Sequence, residues 1–153
     1  MRNPAEIKQL AYERLSEAEI LCNNSKYDGA FYLAGYSVEL MLKAKVCEHL
    51  GVDDLFDESS SIYGISEVRK AVKTHDIAVL LIFSGLRAKF DDAKSVSLIL
   101  METNSILFAA SGKCLWSEQN RYQPCGSQKS ESVKKLMSLL KDEEGILKWI
   151  EQS

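Results

Sequence analysis

KYDGAFYLAGYSVELMLKAK, from Lys26 to Lys45, is the stretch whose reading decides the fold. Wound as a helix it is apolar almost all round. Phe31, Ala34, Val38 and Leu42 fall on one face, and Ala30, Leu33, Ser37, Leu40 and Ala44 cover most of the opposite side. Only a narrow stripe remains polar or amphipathic: Tyr32, Tyr36, Glu39 and Lys43, spaced i, i+4, i+7, i+11. A helix wet on one side keeps a broad polar face, whereas a helix enclosed by several others does not. Gly29, Ala30, Ala34 and Gly35 remove bulk where neighbouring backbones can approach. An interior glycine disfavours a helix by about 1 kcal/mol relative to alanine, so close packing is expected to offset it. This helix is therefore the expected centre of the fold, with apolar surface to spare for a symmetric helix–helix contact in a homodimer.

The flanking sequence supplies further helices. Asn3 can cap and Pro4 suits a first helical turn, opening a helix to about Cys22 with Ile7, Leu10, Ala11, Leu15, Ala18 and Leu21 at helical spacing. Asn23, Asn24 and Ser25 break it. The second helix runs from about Tyr27 to Leu50 and stops at Gly51. Residues 51–66, acidic and Ser-rich, read as a loop; Glu67 to Lys73 is a short helical candidate. Thr74 can cap a third helix to about Leu86, a fourth spans about Asp91 to Ala110 and ends at Ser111–Gly112, and residues 113–128 read as a second loop. A fifth helix runs from about Lys129 to Glu151, weakened at Gly145. With no strand alternation and no repeat, the chain reads as one all-α domain over residues 1–153, an up-and-down bundle of about five helices.

Composition narrows the function classes. A hydrophobic share of 46% suffices for a real core, and a net charge of −3 argues against a dedicated duplex-binding protein, although a small basic cleft stays open. The start lacks the apolar segment of a secretory signal, and no uncharged run approaches a membrane span, so a cytoplasmic protein with no membrane association is expected. Cys22, Cys47, Cys114 and Cys125 form no CxxC pair, and His49 and His75 add no ligand spacing, so no metal and no cofactor is expected and the thiols read as reduced. Glycine-rich phosphate loops, GxSxG and HExxH are absent.

The run YDGAFYLAGYSVELMLKA resembles the second helix of HEPN domains, the helical domains of prokaryotic toxin and defence systems and of nucleotidyltransferase partners. Three other segments agree in order: Thr74-His75-Asp76-Ile77 followed by Leu80 and Leu81, Trp116 to Tyr122 (WSEQNRY), and a closing helix ending ILKWI at 146–150. The resemblance implies an HEPN-like bundle and two alternative functions. Catalytic members carry an Arg followed four to six residues later by a His, a pattern that Arg69 and His75 fit. In such a metal-independent RNA endonuclease the 2′-hydroxyl attacks the adjacent phosphate, His75 would aid proton transfer, and Arg69 would stabilise the phosphorane. On a straight helix the two side chains would point about 120° apart, so convergence needs a backbone break or a two-fold dimer cleft. The partner implied is a nucleotidyltransferase-like antitoxin.

The other implied function is a non-catalytic HEPN module that binds a nucleotide or a protein partner. His75 would then be structural, bonding the loop or a neighbouring helix, and Arg69 an exposed base beside Lys70 and Lys73. The helix-2 stripe Tyr32, Tyr36, Glu39 and Lys43 could line a pocket, with Lys43 the simplest ion-pair partner for a buried Glu39. Trp116, Glu118, Arg121 and Tyr122 offer aromatic faces and a cation for a base and phosphate, or alternatively pin their loop to the bundle.

Overall fold

A computed structural model describes residues 3–108 and 114–153. Helix α1, Pro4–Asn23, begins where Asn3 Oδ1 accepts the Glu6 amide at 3.0 Å, with Pro4 at the first helical position. Its Ile7, Ala11, Leu15, Ala18 and Cys22 are buried at i, i+4, i+8, i+11 and i+15, one stripe along the helix. Ser25, left-handed at φ 60°, turns the chain into α2, Tyr27–Leu50.

Helix α2 is the centre of the fold. Val38, Leu40, Met41, Leu42 and Ala44 have no exposed surface, and α1, α4, α7 and α8 all pack on it. Gly51 closes it at φ +70°, the left-handed geometry that glycine adopts without a Cβ penalty. Most of the apolar surface of α2 is thus covered within one chain. On α2 the exposed large apolar residue is Leu50, at its last turn; others, among them Val96, Leu98 and Met101, lie elsewhere. Little of α2 is left for the dimer contact expected of it: α1, α4, α7, α8 and the 118–122 turn pack on it, leaving Tyr32, Leu33 and Tyr36 partly exposed and Leu50 exposed.

The remaining helices are α3 (Ile65–Val72), α4 (Ile77–Phe83), α5 (Arg87–Val96), α6 (Leu98–Leu107), α7 (Ser130–Lys141) and α8 (Ile146–Gln152), with a 3-10 turn at Glu118–Tyr122. Among the described residues there is no strand, only an isolated antiparallel bridge between Phe108 and Cys114. The chain is all-helical, as expected, but two expected helices are each divided. Ser97 splits the one placed over 91–110: it is extended at φ −117° and its Oγ accepts the Leu100 amide at 3.2 Å, capping α6. Gly145 splits the last one. A Cβ there would stand 2.4 Å from the Leu139 carbonyl oxygen, so only glycine lets the chain double back between α7 and α8. The expected stop at Ser111–Gly112 lies outside the described residues.

Candidate functional site

The site is built around Glu39, halfway along α2 and wholly enclosed. Its Oε1 accepts from Lys43 Nζ at 2.7 Å, one helical turn on, and lies 2.9 Å from His75 Nδ1. Its Oε2 is buried without a hydrogen-bond partner among the described residues. The ion pair expected between Glu39 and Lys43 is present. Lys43 is itself nearly buried, its ammonium 5.6 Å from the centre of the Phe56 ring.

His75 reaches Glu39 from a non-helical link. Helix α3 ends at Val72, and α4 begins only at Ile77, because Asp76 rather than Thr74 is its cap: Asp76 Oδ1 accepts from the Ala78 and Val79 amides at 2.9 and 3.3 Å. Thr74 instead supports the link, its Oγ1 accepting the Asp76 amide at 3.1 Å. The other imidazole nitrogen, Nε2, lies 3.2 Å from Glu118 Oε2 at the start of the 3-10 turn. A neutral imidazole carries a single N–H and can donate to one of these carboxylates; donation to both takes the imidazolium. His75 therefore ties α2 to the 114–122 segment, with half of its side chain still open to solvent.

Arg69 does not join it. The backbone breaks between the two residues, as convergence would need, but the guanidinium turns to the 51–64 segment, where Nε and Nη2 donate to the carbonyl oxygens of Leu55 and Asp57, both at 2.7 Å. Those carbonyls flank Phe56, and the Leu55 side chain is fully buried. No hydrogen bond or ion pair links Arg69 to His75 among the described residues.

The 114–122 segment is held by its aromatic residue. Trp116 is 1% exposed, donates from Nε1 to the Tyr32 carbonyl at 3.0 Å, and stacks on the Tyr32 ring at 6.1 Å; Tyr32 stacks in turn on Tyr36 at 6.2 Å. Burial first, and then the nearby Glu39 charge, raise the Tyr36 phenol above its usual value. Trp116 thus pins its loop and offers no face for a base. Arg121 stands over the exposed Tyr122 ring at 4.8 Å, near Tyr32, rather than on Glu118 or Glu39. At the far end of the loop, Asp28 at the start of α2 accepts the Gly126 and Gln128 amides at 2.7 and 2.9 Å.

Between the 74–76 link and the 114–118 stretch lies a cleft of about 540 Å³, lined by Thr74, His75, Asp76, Cys114, Trp116, Ser117 and Glu118. Sequence reasoning did not single out Asp76 or Cys114 as lining residues. The Cys114 thiol donates to Asp76 Oδ1 at 3.3 Å, and burial, with Asp76 adding, pushes it up to about 11, so it remains a thiol at neutral pH. All four cysteines are free. No cluster of three metal-ligating side chains occurs among the described residues, and no helix among them is long and apolar enough to cross a membrane.

Fold and site together describe an all-helical chain in which a buried carboxylate on the central helix backs an imidazole facing an acid-lined cleft. No protein-family model matches the chain, and no curated protein or solved structure matches it.

Proposed function

We propose that this chain is a HEPN-like helical module that works by binding a protein partner and does not cleave RNA. One observation carries the choice: the Arg69 guanidinium, which a phosphoryl-transfer site would aim at phosphate oxygens, is engaged by the carbonyls of Leu55 and Asp57. Lys43, which shares the Glu39 carboxylate with His75, is itself nearly buried on it. What supports the HEPN-like reading is that the four segments carrying the resemblance meet on α2: His75 on Glu39, Trp116 on Tyr32, and α8, with Ile146 and Ile150 buried, along the same helix. A nucleotidyltransferase-like protein is the partner class that the resemblance implies, and a second copy of this chain is the other.

One observation favours the ribonuclease as a second reading. A buried carboxylate on Nδ1 orients His75 with its other edge toward an open cleft, an arrangement suited to proton transfer. The two readings separate in one experiment: pure protein incubated with RNA in EDTA, beside His75→Ala. Binding without catalysis predicts intact RNA with both proteins. Cleavage leaving a 2′,3′-cyclic phosphate, lost in His75→Ala, would establish the nuclease instead.

A further inference from the structure

We infer that the cleft at His75 receives a cationic side chain, lysine or arginine, from a protein partner, between the carboxylates of Asp76 and Glu118. The inference rests on the binding-module reading and names the chemistry that its partner brings.

The charges of the cleft point this way. Asp76 and Glu118 line it directly, and Glu39 stands behind His75 with its second oxygen buried and unpartnered. Against these three carboxylates stand, among the described residues, Lys43, enclosed on Glu39, and His75, already placed between Glu39 and Glu118. Arg69 faces the Leu55 and Asp57 carbonyls, and the Cys114 thiol gives its hydrogen to Asp76. A phosphate entering here meets carboxylates and no free cation among the described lining residues; an ammonium or guanidinium meets acceptors on two sides.

Shape agrees with charge. At about 540 Å³ the cleft has room for a lysine or arginine side chain and lies within the range of ligand-binding pockets. Its walls are set rather than loose. Asp76 is fixed by capping α4, and Glu118 follows Trp116 and Ser117, a stretch locked by the indole's bond to Tyr32 and by the Ser117–Asn120 capping box. Pre-ordered carboxylates need little rearrangement to bind a cation.

The test is calorimetric titration of the whole chain with a hexalysine peptide at low and at physiological salt. The variants are Glu118→Gln, Asp76→Asn (asparagine caps a helix as well as aspartate does) and Glu144→Gln, which removes a carboxylate near α8, away from the cleft. Each is checked for helicity and melting temperature. The expected result is salt-sensitive binding weakened about tenfold by either cleft variant and unchanged by Glu144→Gln. Absent binding, equal weakening by Glu144→Gln, or unaltered affinity in both cleft variants overturns the assignment, as does a single-stranded RNA oligomer, titrated without the peptide, that binds wild type and no longer binds His75→Ala. These failures leave the binding-module reading standing when RNA stays intact; RNA cleavage lost in His75→Ala removes that reading itself.

Discussion

Gly35 and Trp116 occupy one space: a Cβ on Gly35 would stand 2.1 Å from Trp116 Nε1 and 2.2 Å from Cδ1. The glycine on the central helix is therefore the seat of the indole, and the indole's bond to the Tyr32 carbonyl holds the segment that delivers Glu118 to His75.

Gly35→Ala tests this seat against helix propensity. Propensity alone favours alanine by about 1 kcal/mol. Displacing a buried indole is expected to outweigh that, for a net loss of about 1–3 kcal/mol in urea unfolding, with Trp fluorescence shifted toward that of an exposed indole. Gly29→Ala is the companion: its Cβ would meet only the end of the Leu21 side chain at 3.2 Å, so it is expected to be neutral or slightly stabilising. A Gly35→Ala protein more stable than wild type would refute the seat.

Glu39 and Lys43 form a buried pair, so removing one partner strands the other's charge. Glu39→Leu is expected to cost about 3–5 kcal/mol, and Glu39→Leu combined with Lys43→Met much less than the sum of the two singles. Chemical denaturation of the three variants reads the coupling; additive effects would mean that the pair is not a unit.

Cys47 is buried on α2 near the Asp53 charge, and burial, with that charge adding, pushes its thiol up from about 9 to about 12. The folded state thus holds this proton more tightly than the unfolded chain does. Its contribution to stability is full below pH 9 and is lost as pH rises from there toward 12. Melting temperature measured across that window is expected to fall less steeply in Cys47→Ala than in wild type, from a lower starting value; parallel slopes would exclude Cys47 as a source.

Much of the fold is legible in the sequence because its strongest signals are local. Asn3 and Pro4 open α1, Gly51 closes α2, and the apolar circumference of α2 foretells its enclosure. The pairing of Glu39 with Lys43 follows from their spacing on one helix. What the residues do not disclose depends on distance along the chain. Ser97 ends one helix and starts another by turning its hydroxyl inward, a role that its identity permits and does not require. His75 meets Glu39 across 36 positions, and Arg69 meets carbonyls of an irregular turn whose path no periodicity encodes. A spacing of Arg and His says that the two residues are near in sequence; the break after Val72 decides that they face different neighbours.

The measurement that reaches the central claim most directly is Arg69→Gln, compared with wild type for urea unfolding and for RNA turnover in EDTA. Glutamine cannot span two carbonyls as the guanidinium does, so the account predicts a loss of about 1–3 kcal/mol, faster amide exchange around Leu55 to Asp57, and intact RNA with both proteins. Unchanged stability, together with wild-type RNA cleavage that Arg69→Gln abolishes, would contradict it and return Arg69 to the phosphate.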